Sequence, residues 1–145
     1  MAEPDRPVVC VVDDDQDIRE SLRFLLEEAG YTVEEADNGL ELLTLLRTQP
    51  RPRVVLLDRM MGQLDGIQTL RQFSGEPTAV RRNTVIIFMS ARSDHPDPAS
   101  ADLIAKWIFA TVVKPFHLDD LLATVTRASA QLGAQLGAQL GAQLA

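Results

Sequence analysis

Two runs of uninterrupted apolar residues, Val8-Val9-Cys10-Val11-Val12 and Val54-Val55-Leu56-Leu57, stand apart from the alternating sequence around them. A strand exposed on one face alternates apolar and polar side chains. A run without alternation predicts a strand covered on both faces, as in the interior of a parallel sheet. Val85 to Met89, led in by Thr84, is a third such run, and Thr111-Val112-Val113 is a shorter one. Tyr31 to Ala36 is more polar, and its Glu34 and Glu35 suit a sheet edge that must resist pairing with other chains.

Between these runs the apolar positions recur at helical spacing. Ile18, Leu22, Leu25 and Ala29 share one face of a helix that begins near Asp15 and stops at Gly30. Leu42, Leu43, Leu45 and Leu46 mark a second helix, ended by Pro50 and Pro52. Asp65 is placed to cap a third, carrying Ile67, Leu70 and Phe73 and closed by Ser74-Gly75-Glu76-Pro77. A fourth is predicted near Ala99 to Trp107, after a polar, proline-containing loop, and a last one from Leu118. Arg81-Arg82 reads as a solvated pair in a loop. Strands alternating with helices predict an α/β fold with a parallel sheet and helices on both faces, because crossovers in such sheets are right-handed. This pattern leaves the strand order open.

Composition narrows the function. With 145 residues the chain suits one compact domain, taken as 1–130. Its net charge of -7, without a basic run, argues against nucleic acid and anionic membrane as partners. The N-terminus lacks a secretory pattern, and no run reaches the roughly 18 apolar residues of a membrane helix, so a cytoplasmic location is expected. Cys10, inside an apolar run, is expected to be a buried, inert thiol. His95 and His117 have no partner at metal-ligand or triad spacing and read as surface residues.

Residues 131–145 form a low-complexity Gln-Leu-Gly-Ala tail with two readings. It is a flexible extension, or it continues the last helix, whose stripe of Leu118, Leu122 and Val125 would run on through Leu132, Leu136, Leu140 and Leu144. Each glycine in such a helix costs roughly 1 kcal/mol relative to alanine. The helical reading therefore calls for a packing partner, and a homodimer through the last helix and tail would supply one.

The chemistry lies where the strands end. Asp13-Asp14 follows the first strand, Asp58 the third, Ser90 the fourth and Lys114 the fifth, and in a parallel sheet these ends share one edge. Each pair of carboxylates brought to about 4 Å repels by about 4 kcal/mol at an effective dielectric near 20. Lys114 supplies only one compensating charge, so a divalent cation is the natural completion, and Mg2+ suits so few carboxylates. A carboxylate nucleophile, a metal, a hydroxyl and an ammonium together match phosphoryl transfer. Asp58 would attack, giving an aspartyl phosphate.

Val-Val-Asp13-Asp14-Asp15, Leu-Leu-Asp58-Arg-Met-Met, Phe-Met-Ser90-Ala91-Arg92 and Val-Val-Lys114-Pro115-Phe116, in that order, resemble the signature segments of the receiver domain of two-component response regulators. The resemblance covers roughly Val8 to Ala130. It implies a flavodoxin-like, doubly wound five-stranded sheet of order 2-1-3-4-5. It also implies phosphorylation of Asp58 by a sensor histidine kinase, Mg2+ held by Asp13, Asp14, Asp58 and the Met60 carbonyl, and phosphate contacts from Ser90 and Lys114. The Lys114-Pro115 bond is expected to be cis. The protein would be a signalling switch with a downstream protein target, autodephosphorylating rather than acting as an ordinary enzyme.

Three departures from the family pattern concern how phosphorylation would be reported. Gly62 stands where a proline is usual, and Thr111 where an aromatic switch residue is common. Trp107-Ile108-Phe109 replaces small and acidic residues at the end of the fourth helix. Trp107, Phe109 and Thr111 are thus candidates for a partner surface, unless a shifted register buries the tryptophan. Two other readings remain at this point. One is a haloacid-dehalogenase-like phosphohydrolase, although that class places its nucleophile after the first strand; the other is a receiver-like adaptor that is never phosphorylated.

Overall fold

The apolar runs form the middle of a single sheet. In a computed structural model that describes residues 6–91 and 97–144, the side chains beyond 138 excepted, the strands are β1 (Val8–Val12), β2 (Val33–Ala36), β3 (Arg53–Asp58), β4 (Thr84–Ala91) and β5 (Ile108–Lys114). All are parallel, in the order β2-β1-β3-β4-β5. Six helices cover the two faces: α1 (Gln16–Glu28), α2 (Gly39–Thr48), α3 (Gly66–Ser74), α4 (Thr78–Arg82), α5 (Ala101–Trp107) and α6 (Leu118–Leu144). This is the flavodoxin-like arrangement that the resemblance implied.

Two cores explain why the central strands do not alternate. Val9, Val11, Val54, Leu56, Val85, Ile87 and Met89 pack with residues of α1 and α6. Their neighbours Cys10, Val12, Val55, Leu57, Ile86 and Phe88 pack with α2 and α3 on the opposite face. Every residue of β3 is buried, so both phases of the pleat must be apolar except where a side chain finds a charged partner. Cys10 lies fully inside, where burial pushes its thiol up to about 12, as an inert thiol requires.

Caps fix the helix starts. Asp15 accepts from the Asp17 and Ile18 N–H groups at 2.9 and 3.4 Å, and Asp65 forms a reciprocal capping box with Gln68. Gly30 ends α1 in the left-handed region at φ 94°, the one position of positive φ among the described residues. Lys114-Pro115 is cis.

Three details differ from the sequence expectations. Arg81-Arg82 does not sit in a loop: both belong to α4, with the Arg81 guanidinium over the Trp107 ring at 5.3 Å. β5 begins at Ile108 rather than Thr111, so only Trp107 of the aromatic segment ends a helix and Phe109 is in a strand. Glu34 and Glu35 do more than blunt an edge, since they pair with Arg53 and with Arg19 and Arg23. His117 is exposed, whereas His95 lies outside the described residues.

α6 runs for 27 residues, and the first leucines of its repeat serve its own domain. Leu132 is buried and Leu136 packs against the same core. Gly133 lies within this helix, and a Cβ there would meet nothing within 4 Å. Gly133→Ala should therefore stabilise the protein by about 0.5–1 kcal/mol, read as a rise of a few degrees in the melting temperature.

Candidate functional site

The acidic pair leaves β1 as the chain turns into α1. Asp13 is buried, its Oδ1 accepting the Asp15 N–H at 2.9 Å, while Asp14 is exposed. Arg19, one turn into α1, donates to the Asp13 carbonyl at 2.6 Å and pairs with Glu35 at 3.3 Å. Arg19 carries little mark of a role in the sequence. Its only signal was a cation on the helix directly after the acidic triplet.

Asp58 closes β3, opposite Met89 of β4, and is 7% exposed. Its Oδ1 accepts the Met60 N–H and the Lys114 ammonium, each at 3.3 Å. Lys114 reaches Asp13 Oδ2 at the same distance, so one ammonium bridges two carboxylates from non-adjacent sequence segments. The β3-to-α3 loop is held tightly beneath them: the Gly66 N–H donates to Arg59 at 2.9 Å, and a Cβ at Gly66 would meet the Arg59 Cα at 2.9 Å. Only glycine fits that approach without displacing backbone.

Carboxylate oxygens of Asp13, Asp14 and Asp58 lie within 4.8 Å of one another. Burial first, and then the charge of Asp13, push Asp58 up to about 6, against the opposing pull of Lys114 and the Met60 N–H. Burial works against the charge of Lys114, but the two carboxylates outweigh it and raise its pKa. Three acids facing one ammonium fit a small oxygen-seeking cation. Ser90 is buried at the end of β4, level with Val113, and its hydroxyl donates to the Ala91 carbonyl at 3.3 Å. The fold thus brings the four strand ends to one edge.

Met60 and Gly62 lie on the loop beside the acids, whereas Trp107, Phe109 and Thr111 lie away from them. Met60 is 62% exposed, and a Cβ at Gly62 would meet only Asp14 Oδ2, at 3.9 Å. Thr111 is exposed on β5, opposite Phe88. Phe109 is half-buried against the core shared with α6. Trp107 is also half-buried, with its ring edge-on to Phe73 at 5.5 Å.

A sequence model of the response regulator receiver domain matches residues 9–126, which include every strand end of the site. The chain belongs to this family. Among curated relatives, the receiver is 38% identical over 117 residues to the response regulator MprA of Mycobacterium sp. (strain KMS), covering 79% of this chain and 47% of that protein. MprA of Mycobacterium avium (strain 104) is 37% identical over the same length. The chain therefore spans about half the length of these relatives. Among solved structures, a CheY-like response regulator receiver domain protein from Methanospirillum hungatei JF-1 is similar to this receiver with a TM-score of 0.79 and 28% identity, over 88% of this chain and 98% of that one. The response regulator StyR gives a TM-score of 0.79 at 26% identity, over 96% of this chain and 67% of that one.

Proposed function

We propose that this receiver takes a phosphoryl group from the histidine of a sensor kinase onto Asp58, in the cytoplasm, and so changes its affinity for a downstream protein. The observation that carries this reading is the convergence of Asp13, Asp14, Asp58 and Lys114 at one strand edge. Lys114 and the Met60 N–H both engage Asp58 Oδ1, which leaves Oδ2 as the attacking oxygen. As Oδ2 bonds to phosphorus, the P–N bond to the kinase imidazole breaks and its electron pair stays on that nitrogen. Lys114 then exchanges part of its contact with Asp58 for a phosphoryl oxygen, and the Ser90 hydroxyl turns from the Ala91 carbonyl to another. Attack of water on phosphorus returns Asp58 and inorganic phosphate, which makes the protein a self-resetting switch rather than an ordinary enzyme.

Asp13, Asp14, Asp58 and the Met60 carbonyl would hold Mg2+. When bound, Mg2+ neutralises charge shared by the acids and the phosphoryl oxygens. The partner surface would draw on Thr111 and Phe109 of β5 and on Trp107. Because Leu132 and Leu136 already pack against their own domain, a homodimer through the last helix and tail would have to use the remaining faces of α6.

Acetyl phosphate tests the reading without a kinase. Incubated with it and Mg2+, the protein should gain one phosphoryl group by intact-mass measurement, and none when the metal is chelated. Failure of the wild-type protein to gain that mass would overturn the proposal.

A further inference from the structure

At the opposite end of the sheet from Asp58, β4 begins two residues before β5. Thr84 and Val85 have no partner on the β5 side, because the ladder starts at Ile86 with Ile108. The register then shifts between Ile86 and Ile87, so that Ile87 faces Ala110 and Phe109 is passed over. α6 continues past this gap, and its Gln135 donates to the Arg82 carbonyl at 3.3 Å. Between the short helix α4, the end of α5, the start of β5 and the tail lies a cavity of about 560 Å³. That size falls within the roughly 300–1,000 Å³ of small-molecule sites.

The lining is chemically divided. Arg81, Arg82 and Lys106 supply three cations. Among the described residues none of them has a carboxylate within ion-pair distance, although the protein carries 21 acids against 14 bases. Glu76, next to α4, is already committed to Arg47 at 2.7 Å. Arg81 is held in place by bonds to the Glu76 carbonyl at 2.9 Å and to the Thr78 hydroxyl at 3.2 Å. Arg81 and Lys106 both lie over the Trp107 ring, at 5.3 and 5.1 Å, and the indole N–H is buried without an acceptor among the described residues. Val85, Ile108 and Phe109 form the apolar part.

Three cations without a carboxylate partner gathered around one concavity, in a protein of net charge -7, call for an anion rather than a cation or a neutral body. We propose that this cavity binds a phosphorylated small molecule of nucleotide size. Its phosphate meets Arg81, Arg82 and Lys106, and its flat body lies against Val85, Ile108 and Phe109. The site is separate from the phosphorylation edge, and the Gln-Leu-Gly-Ala tail contributes one wall through Gln131 and Gln135.

Trp107 is the sole tryptophan and lines this cavity, so its fluorescence reports binding there. The full chain is titrated with adenosine 5′-monophosphate, adenosine and inorganic phosphate, by Trp107 fluorescence and by calorimetry. The expected result is saturable binding of the nucleotide, tighter than that of adenosine or phosphate. Arg82→Ala combined with Lys106→Ala, both exposed positions, should weaken it about tenfold or more, corresponding to the loss of at least one charge-assisted hydrogen bond. Asp58→Ala should leave it unchanged, so the result is independent of the phosphoryl-transfer reading. No saturable signal with any of the three probes, an affinity unaltered in the double variant, or binding lost with Asp58→Ala would overturn the proposal.

Discussion

Asp58→Asn will abolish acetyl phosphate labelling and, in the absence of metal, make the protein more stable. Loss of labelling follows from removing the nucleophilic oxygen, since an amide cannot replace it and Asp13 and Asp14 serve the metal in the proposed mechanism. The gain in stability follows from electrostatics. Asp58 is raised from an ordinary 3.8 to about 6 in the folded protein, by burial and by the charge of Asp13. Below about pH 4 the group is protonated whether the chain is folded or not, and it costs nothing. As pH rises from about 4 to about 6 the unfolded chain releases this proton while the folded chain retains it, so stability falls; above about 6 the full cost is present. That difference corresponds to about 1–3 kcal/mol at neutral pH, at roughly 1.4 kcal/mol per pKa unit. Chemical denaturation without Mg2+ should accordingly show Asp58→Asn ahead of wild type at pH 7.5 and level with it near pH 4. Millimolar Mg2+ should narrow the gap, because a ligand bound only by the folded state stabilises the protein that binds it better. A variant less stable than wild type at pH 7.5 without metal would mean that the carboxylate is not held against its own preference.

The parallel sheet and the meeting of the strand ends were legible because each depends on a strong local signal. Val8 to Val12 and Val54 to Leu57 could be covered on both faces only in a parallel sheet, and each ends at an acid. What pattern alone left open was strand order, which the match to a known family supplied. α4 is hidden in the sequence because Thr78–Arg82 is too short to show a period, and Pro77 reads equally as the end of α3. The start of β5 was misplaced because Trp107, Ile108 and Phe109 suit a helix end and a strand equally, and the pairing of Ile86 with Ile108 decided between them. The cavity was invisible for a different reason. Arg81, Arg82, Lys106 and the tail are neighbours only through tertiary packing, and no spacing in the sequence records that.

The largest loss of stability is expected from a residue that looks unimportant in the sequence. Arg53 opens β3 with a fully buried side chain, and its Nε donates to Glu34 Oε1 at 2.7 Å. It reaches that acid across β1, since Arg53 pairs with Val8 and Glu34 with Cys10 on either side of that strand. Water supplies little there: the Arg53 side chain is 1% exposed, and that of Glu34 is 20%. Glu34→Ala therefore leaves a guanidinium without its counter-charge beside the Cys10 core, which should cost about 3–5 kcal/mol. Arg53→Met with Glu34→Leu removes both charges and keeps comparable volume, and should fall within about 1–2 kcal/mol of wild type. A double-mutant cycle by urea denaturation separates the two effects, because contacting residues are expected to be strongly non-additive. If the single change cost no more than the double, the pair would be a solvated edge interaction. If the double change were the worse of the two, the ion pair itself would be holding β2 against the sheet.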